Sequence, residues 1–462
     1  MPRVGSRWGI VVLACSFIAG CASLNYPVNT PLSVEHGAGL PSIPDVGGET
    51  AIALSFSGGG TRAAAFAFGV LRGLDEMPVA GGSKRLDQIA FVSGVSGGSV
   101  TAAYFGLKGR AALADFRERF LVRNAEEGLR TNIDLNNLAA GFGGGVNDAS
   151  RFPAWLDANL FDKATMGDLM RFGKPIVWIN ASDLFNRTPF VFSQTTFSAL
   201  CSDLRTFPLS QAVAASAAVP VAFVPIVIES FPEACSPAPS AWAGRVLADR
   251  NSGAQVRAFA QALARYRNPD QMRYLKLADG GITDNFGLSG LVIARAAASQ
   301  PYMPLTADKA VQLRRVIFMV VNAGQAPNGN WSGTLEGPSG TDLLDAVTDT
   351  AISSAVRSGF DAFRLSIREW EAATRKWRCA LPHAEARRLG APLNWRCSDI
   401  SFEITELSFD RLEPKLAARL SAVETRFKLP AEEVDLVSQA GFEEVLDDPI
   451  LAAARPRPRQ SR

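Results

Sequence analysis

The sequence predicts a three-layer α/β/α fold around a mainly parallel central sheet, and three observations predict it. Two short apolar runs, Ala51 to Ser57 and Ile89 to Gly94, are each followed by small residues and then by apolar side chains at helical spacing. Further apolar runs alternate with helical patterns along the rest of the chain, the order that parallel strands joined by crossover helices require. Of 462 residues 47% are hydrophobic and 20% charged, so the chain can bury a sizeable core. Lys and Arg number 47 against 45 Asp and Glu, which leaves no basic excess to neutralise phosphates and excludes nucleic acid as the expected partner.

At the start of the chain Arg3 and Arg7 precede an apolar run from Trp8 to Ile18, too short to span a bilayer, that ends in Ala19-Gly20-Cys21. This is a secretory signal pattern, and the small pair before a cysteine resembles the lipobox of bacterial lipoproteins. Residues 1–20 are therefore expected to be a signal peptide and Cys21 to be the lipidated first residue of the mature chain. Ala22 and Ser23 follow without an Asp, as in lipoproteins sorted to the outer membrane, so the expected location is the bacterial cell envelope, facing the periplasm. Loss of Arg3 and Arg7 would leave 45 basic groups against 45 acidic ones, a neutral body suited to anchoring by lipid. Residues 21–48 carry scattered Pro, Gly, Ser and Asn and read as a tether.

The core domain is expected over residues 49–290. It begins with a strand from Ala51 to Ser57, a Gly58-Gly59-Gly60 turn and a helix from Ala63 to Leu74. The second unit is a strand from Ile89 to Gly94, the turn around Ser96 and a helix to Leu107. Later strands are expected at Pro175 to Asn180, Phe190 to Phe192, Tyr274 to Ala278, Val316 to Asn322 and Ser401 to Leu407. Residues 291–450 form a C-terminal α/β extension that completes or covers the core, with helices from Asp342 to Ala373, Arg411 to Phe427 and Ala431 to Leu446. Residues 451–462 alternate Arg and Pro and read as a disordered basic tail. The run Gly141-Phe142-Gly143-Gly144-Gly145 offers a hinge for a lid.

Beyond Cys15 and Cys21 four cysteines remain, an even number in a chain expected to be exported, and proximity favours disulfides between Cys201 and Cys235 and between Cys379 and Cys397. With no C-x-x-C and only His36 and His383 as imidazoles, no metal site is expected. No cofactor is expected either.

Gly94-Val95-Ser96-Gly97-Gly98 fits the G-x-S-x-G elbow and lies between a strand and a helix, the context that motif needs. A serine raised on so sharp a turn has strained dihedrals, and Gly94 and Gly98 let the backbone pass on either side. The following helix points its positive end at the site of developing negative charge. Gly58-Gly59-Gly60-Thr61-Arg62, at the end of the first strand, can turn backbone N–H groups outward as an oxyanion hole. A dinucleotide-binding loop fits less well, because its third glycine would fall at Ala63 and no second strand ends in an acid at the right distance. No histidine lies between Ser96 and the C-terminal third, so a carboxylate must be the base. Leu277-Ala278-Asp279-Gly280-Gly281 places one at the end of an apolar strand, and burial must raise its pKa from near 3.9 if it is to accept a proton at neutral pH.

The three segments together resemble the patatin-like phospholipase family, here in a bacterial lipoprotein form, in order and in spacing. Ala215-Ser216-Ala217-Ala218-Val219-Pro220-Val221-Ala222-Phe223-Val224-Pro225 is similar to the alanine, proline and phenylalanine stretch that lies between that family's second and third motifs. The resemblance covers roughly Ala51 to Gly290. It implies that Ser96 is the nucleophile, Asp279 its proton acceptor, and the backbone of Gly58, Gly59 and Gly60, with Arg62 beside it, the oxyanion hole. Ser57 and Ala63 stand where the family often has Asp and Gly, which leaves the finer geometry of the loop open. The implied substrates are membrane phospholipids or lysophospholipids. Two other readings compete: an α/β-hydrolase with a triad of Ser96, Asp279 and His383, and an envelope lipoprotein that binds lipid without catalysis.

Overall fold

Strands β1 (Thr50–Phe56) and β2 (Ile89–Val95) are almost continuously apolar because both of their faces are covered. Ile52, Leu54 and Phe56 enter one core, while Ala51 and Ala53 face the other. These positions come from a computed structural model that describes residues 25–33, 48–79, 81–127, 129, 147–171, 173, 175–220, 222–235, 241–326 and 330–453. The signal segment, Cys21, most of the tether, the Gly141–Gly145 run and nearly all of the basic tail lie outside the described residues.

The other strands are β3 (Ile176–Asp183), β4 (Thr188–Val191), β5 (Ile226–Glu229), β6 (Tyr274–Asp279), β7 (Arg315–Asn322) and β8 (Ser401–Ser408). They form one sheet in the order β5-β6-β3-β2-β1-β7-β8, with β4 paired to β3 outside that path. The pairings of β1 with β2 and β7, of β2 with β3 and of β7 with β8 are parallel; β3 with β4, β3 with β6 and β5 with β6 are antiparallel. The fold is thus three-layer α/β/α around a mainly parallel sheet. Both strands from beyond residue 290, β7 and β8, belong to this sheet, and β7 lies against the central β1.

One face is covered by α1 (Gly60–Glu76), α2 (Gly97–Lys108), α3 (Leu209–Ser216) and, packed against α1, a late helix over Ala431–Leu446. The other is covered by α4 (Ser289–Ala297) and α5 (Gly340–Ala380), through Phe286, Leu291, Phe318, Phe363 and Trp370. No described helix is long and apolar enough to cross a membrane.

Two expected elements differ. Ile226–Glu229 forms β5 directly after the Ala215 to Pro225 stretch, where no strand was expected. The helix expected from Arg411 to Phe427 is confined to Pro414–Ser421, because Pro414 can only open a helix and Val423–Phe427 leaves it to bond elsewhere. The structure joins Cys201 to Cys235, with Cα atoms 5.5 Å apart, and Cys379 to Cys397, 4.7 Å apart.

Candidate active site

Ser96 is the last residue before α2 and has φ 49° and ψ −123°. A non-glycine residue with such dihedrals is strained, and the surrounding backbone must hold it there. A β-carbon on Gly98 would lie 2.5 Å from the Ser57 carbonyl oxygen, and one on Gly94 2.7 Å from Ser99 Cα, so both elbow glycines are required by close approach. One on Gly97 would fall on the Gly60 carbonyl, which shows how tightly the two glycine loops abut.

Register brings the base to the nucleophile. Val95 pairs with Asn180, which sets Ser96 level with Ala181, and Ala181 pairs with Asp279 on antiparallel β6. Ser96 is 5% and Asp279 8% exposed, so both are almost dry but reachable. Burial raises the Asp279 pKa to about 6, against the opposing pull of the Gly281 amide, which donates to its Oδ1 at 2.7 Å, and of the Ser96 hydroxyl.

The segment from Ser216 to Ala218, at the end of α3, locks this pair together. Ser216 Oγ accepts from the Ser96 amide at 2.8 Å and donates to the Asn180 carbonyl at 2.6 Å. The Asp279 amide donates to the Ala218 carbonyl at 2.8 Å, and the Gly280 amide to the Ser216 carbonyl at 3.0 Å. Asn180 Nδ2 reaches Ser93 Oγ at 2.8 Å and the Gly94 carbonyl at 2.9 Å, and Ser182 Oγ donates to the Asp279 carbonyl at 2.8 Å. Sequence reasoning missed Asn180, Ser182 and the bonds of Ser216; the available signal was polar residues at buried positions of an apolar strand.

The expected oxyanion loop needs correcting in one place. The Gly58 amide is already committed to the Asn285 carbonyl at 3.1 Å. Arg62, expected beside the loop, is 2% exposed and acts on the loop's surroundings: its Nε donates to the Ala323 carbonyl at 3.0 Å and its Nη1 to that of Val423. Its guanidinium holds neighbouring loops because their carbonyls, buried beside it, need donors. The amides of Gly59, Gly60 and Gly97 find no acceptor among the described residues; Gly97 follows Ser96 directly and abuts Gly60, and Gly59 lies between Gly60 and Gly58, which approaches the Ser96 side chain.

His383 is exposed and opens a short helix over His383–Arg388. The adjoining Arg378 donates to the carbonyls of Ala310 and Leu313, ahead of β7, so this region sits at the amino end of the parallel strands. Ser96 lies at their carboxyl end, about 25 Å away for strands of this length at ~3.3 Å per residue. His383 cannot join Ser96 and Asp279 in a triad. Among the described residues no three metal-ligating side chains converge.

A buried carboxylate whose pKa lies near neutrality, beside a strained serine and unpaired amides, can take a proton from that serine and hold an oxyanion formed by its attack.

The family model described as patatin-like phospholipase matches residues 54–292, a little over half of the chain, and its span includes the serine elbow and the Asp-Gly-Gly turn. No curated protein matches. Among solved structures, human GIVD cytosolic phospholipase A2 aligns at 10% identity with a TM-score of 0.40, over 86% of this chain and 61% of that one.

Proposed function

The chain belongs to the patatin-like phospholipase family, which supports hydrolysis of lipid esters, and from that premise we propose a serine acyl hydrolase acting on phospholipid or lysophospholipid through Ser96 and Asp279. The observation that carries this reading is Asp279, buried and held at the level of Ser96, with His383, the one histidine among the described residues, at the far end of the sheet. Asp279 takes the hydroxyl proton as Ser96 Oγ attacks the acyl carbonyl. The amides of Gly59, Gly60 and Gly97 then receive the negative oxygen, each well-aimed donor being worth roughly 3–4 kcal/mol. Asp279 returns the proton to the departing alcohol, and the acyl group stays on Ser96. A water, deprotonated by Asp279, then attacks the acyl carbon; the bond to Ser96 Oγ breaks, Asp279 gives the proton back to Ser96, and the fatty acid leaves.

The test is hydrolysis of a short-chain chromogenic ester and of a phospholipid by the protein beside Ser96→Ala and Asp279→Asn. Both variants are expected to fold and to be inactive. Activity surviving in Asp279→Asn would overturn the dyad, and a folded wild-type protein inert toward both substrates would favour lipid binding without catalysis.

We propose further that residues 1–20 are removed and that lipid on Cys21 anchors the enzyme at the outer membrane, facing the periplasm. Its support is the Ala19-Gly20-Cys21 pattern. Palmitate labelling that persisted in Cys21→Ser would refute it.

A further inference from the structure

The loop with the free amides is not held by the family-matched region alone. Val423–Phe427, far beyond residue 292, lies across it. The Thr61 amide donates to the Arg426 carbonyl at 2.7 Å, and Arg62 bonds the carbonyl of Val423. Gly60, at φ +59°, is pressed so closely that a β-carbon there would lie 2.5 Å from the Arg426 carbonyl oxygen. Gln325 Nε2 donates to the Val423 carbonyl at 2.9 Å, which ties the same strap to the loop after β7.

One side chain anchors the strap from the other side. Glu126 is almost buried; its Oε2 receives Arg426 Nη2 at 2.7 Å and its Oε1 the Phe427 amide at 2.9 Å. The Ala125 amide returns a bond to the Phe427 carbonyl at 3.1 Å, and the Phe427 ring packs on Phe152 at 4.9 Å. Glu126 thus grips the residue whose carbonyl grips Thr61. It touches no reacting atom.

We infer that Glu126 is a positioning residue for oxyanion stabilisation, acting through Arg426 and Thr61 on the amides of Gly59 and Gly60. This rests on the hydrolase reading and adds to it a contribution from outside the matched domain. The physical reason is that an oxyanion donor acts only when aimed to within a few tenths of an ångström, and a glycine-rich loop does not hold its own aim.

The experiment compares Glu126→Ala, Glu126→Gln and a control, Asp435→Ala, which breaks another link between the C-terminal part and the core, the pair of Asp435 with Arg117 at 2.7 Å. Two readouts are taken. The first is the ratio of kcat/KM for a soluble ester to that for its thionoester, whose sulfur is a poor acceptor and so reports the hole itself. Glu126→Ala is expected to lower kcat on the ester roughly tenfold or more with KM little changed, and to shrink the ratio, while Glu126→Gln falls between and Asp435→Ala leaves the ratio unmoved. The second is hydrogen exchange of the peptide spanning residues 58–62, expected to quicken in Glu126→Ala and not in Asp435→Ala. Exchange reads the strap even without turnover, so loss of the hydrolase reading is distinguishable from loss of this one. An unchanged ratio, or unchanged exchange in folded Glu126→Ala, overturns the inference.

Discussion

Replacing Asp279 by Asn should abolish hydrolysis and stabilise the fold. In the native state burial lifts the Asp279 pKa from 3.8 to about 6, so the charged form that catalysis needs is the form the folded protein disfavours. At about 1.36 kcal/mol per pKa unit, the cost of ionising it at neutral pH is about 3 kcal/mol. The cost is absent below the unfolded value of 3.8, grows as pH rises, and is complete above about 6. Asn carries no such cost, and its Oδ1 can still accept the Gly281 amide that now lies 2.7 Å from Asp279 Oδ1. The stability gap between variant and wild type should therefore be near zero at pH 3.5 and widen to about 3 kcal/mol by pH 7. With roughly 2 cal/mol/K of unfolding entropy per residue, a domain of this size would show a Tm gain of about 3–4 °C. Calorimetry of both proteins from pH 3.5 to 8 measures it. In the same range kcat/KM of the wild type should rise tenfold per pH unit below about 6 and level above, since the base works only when deprotonated. A gap that does not change with pH, or wild-type activity that is flat down to pH 4, would refute the argument.

Ser216→Ala leaves the buried Ser96 amide without its acceptor, so stability should fall by about 1–3 kcal/mol and kcat on the order of tenfold, read by denaturant titration and steady-state kinetics. His383→Ala should keep kcat/KM within about twofold of wild type, whereas a triad member would cost a thousandfold or more. The two disulfides close loops with sequence separations of 34 and 18, and loop-closure entropy puts each at about 3–4 kcal/mol. Reduction should accordingly lower Tm, and thiol labelling that finds Cys201, Cys235, Cys379 and Cys397 all free in the folded, unreduced protein would contradict both.

The strands legible in the sequence are those whose two faces are both buried, because an apolar run as short as Val316 to Val321, bounded by polar residues, fits a strand covered on both sides. Ile226–Glu229 escaped notice because four residues after Pro225 carry too little periodicity to declare a strand. Residues 422–427 read as helix because their spacing allowed it. Their backbone bonds to Thr61, Arg62 and Gln325 are contacts between residues far apart in the chain, 98 positions for Gln325 and 361 for Arg62, which local spacing does not encode. Arg62 is the clearest case: its place beside the glycine loop is local, but its partners, the carbonyls of Ala323 and Val423, come from distant parts of the chain.

By itself the sequence determined the chemistry that is local. A strained turn needs its glycines beside Ser96, the lack of histidine between Ser96 and the C-terminal third pointed to a carboxylate as the expected base, and glycines after a strand free backbone amides. The tertiary structure alone decided which parts meet. It set the antiparallel sense of β6, the register that puts Asp279 opposite Ala181, the Ser216 bridge, and the strap that holds Gly60 and Thr61. The division has one physical cause: turns and apolar periodicity act within a few residues, while strand sense, register and the partners of buried polar groups are settled by packing and hydrogen-bond demand across the whole core.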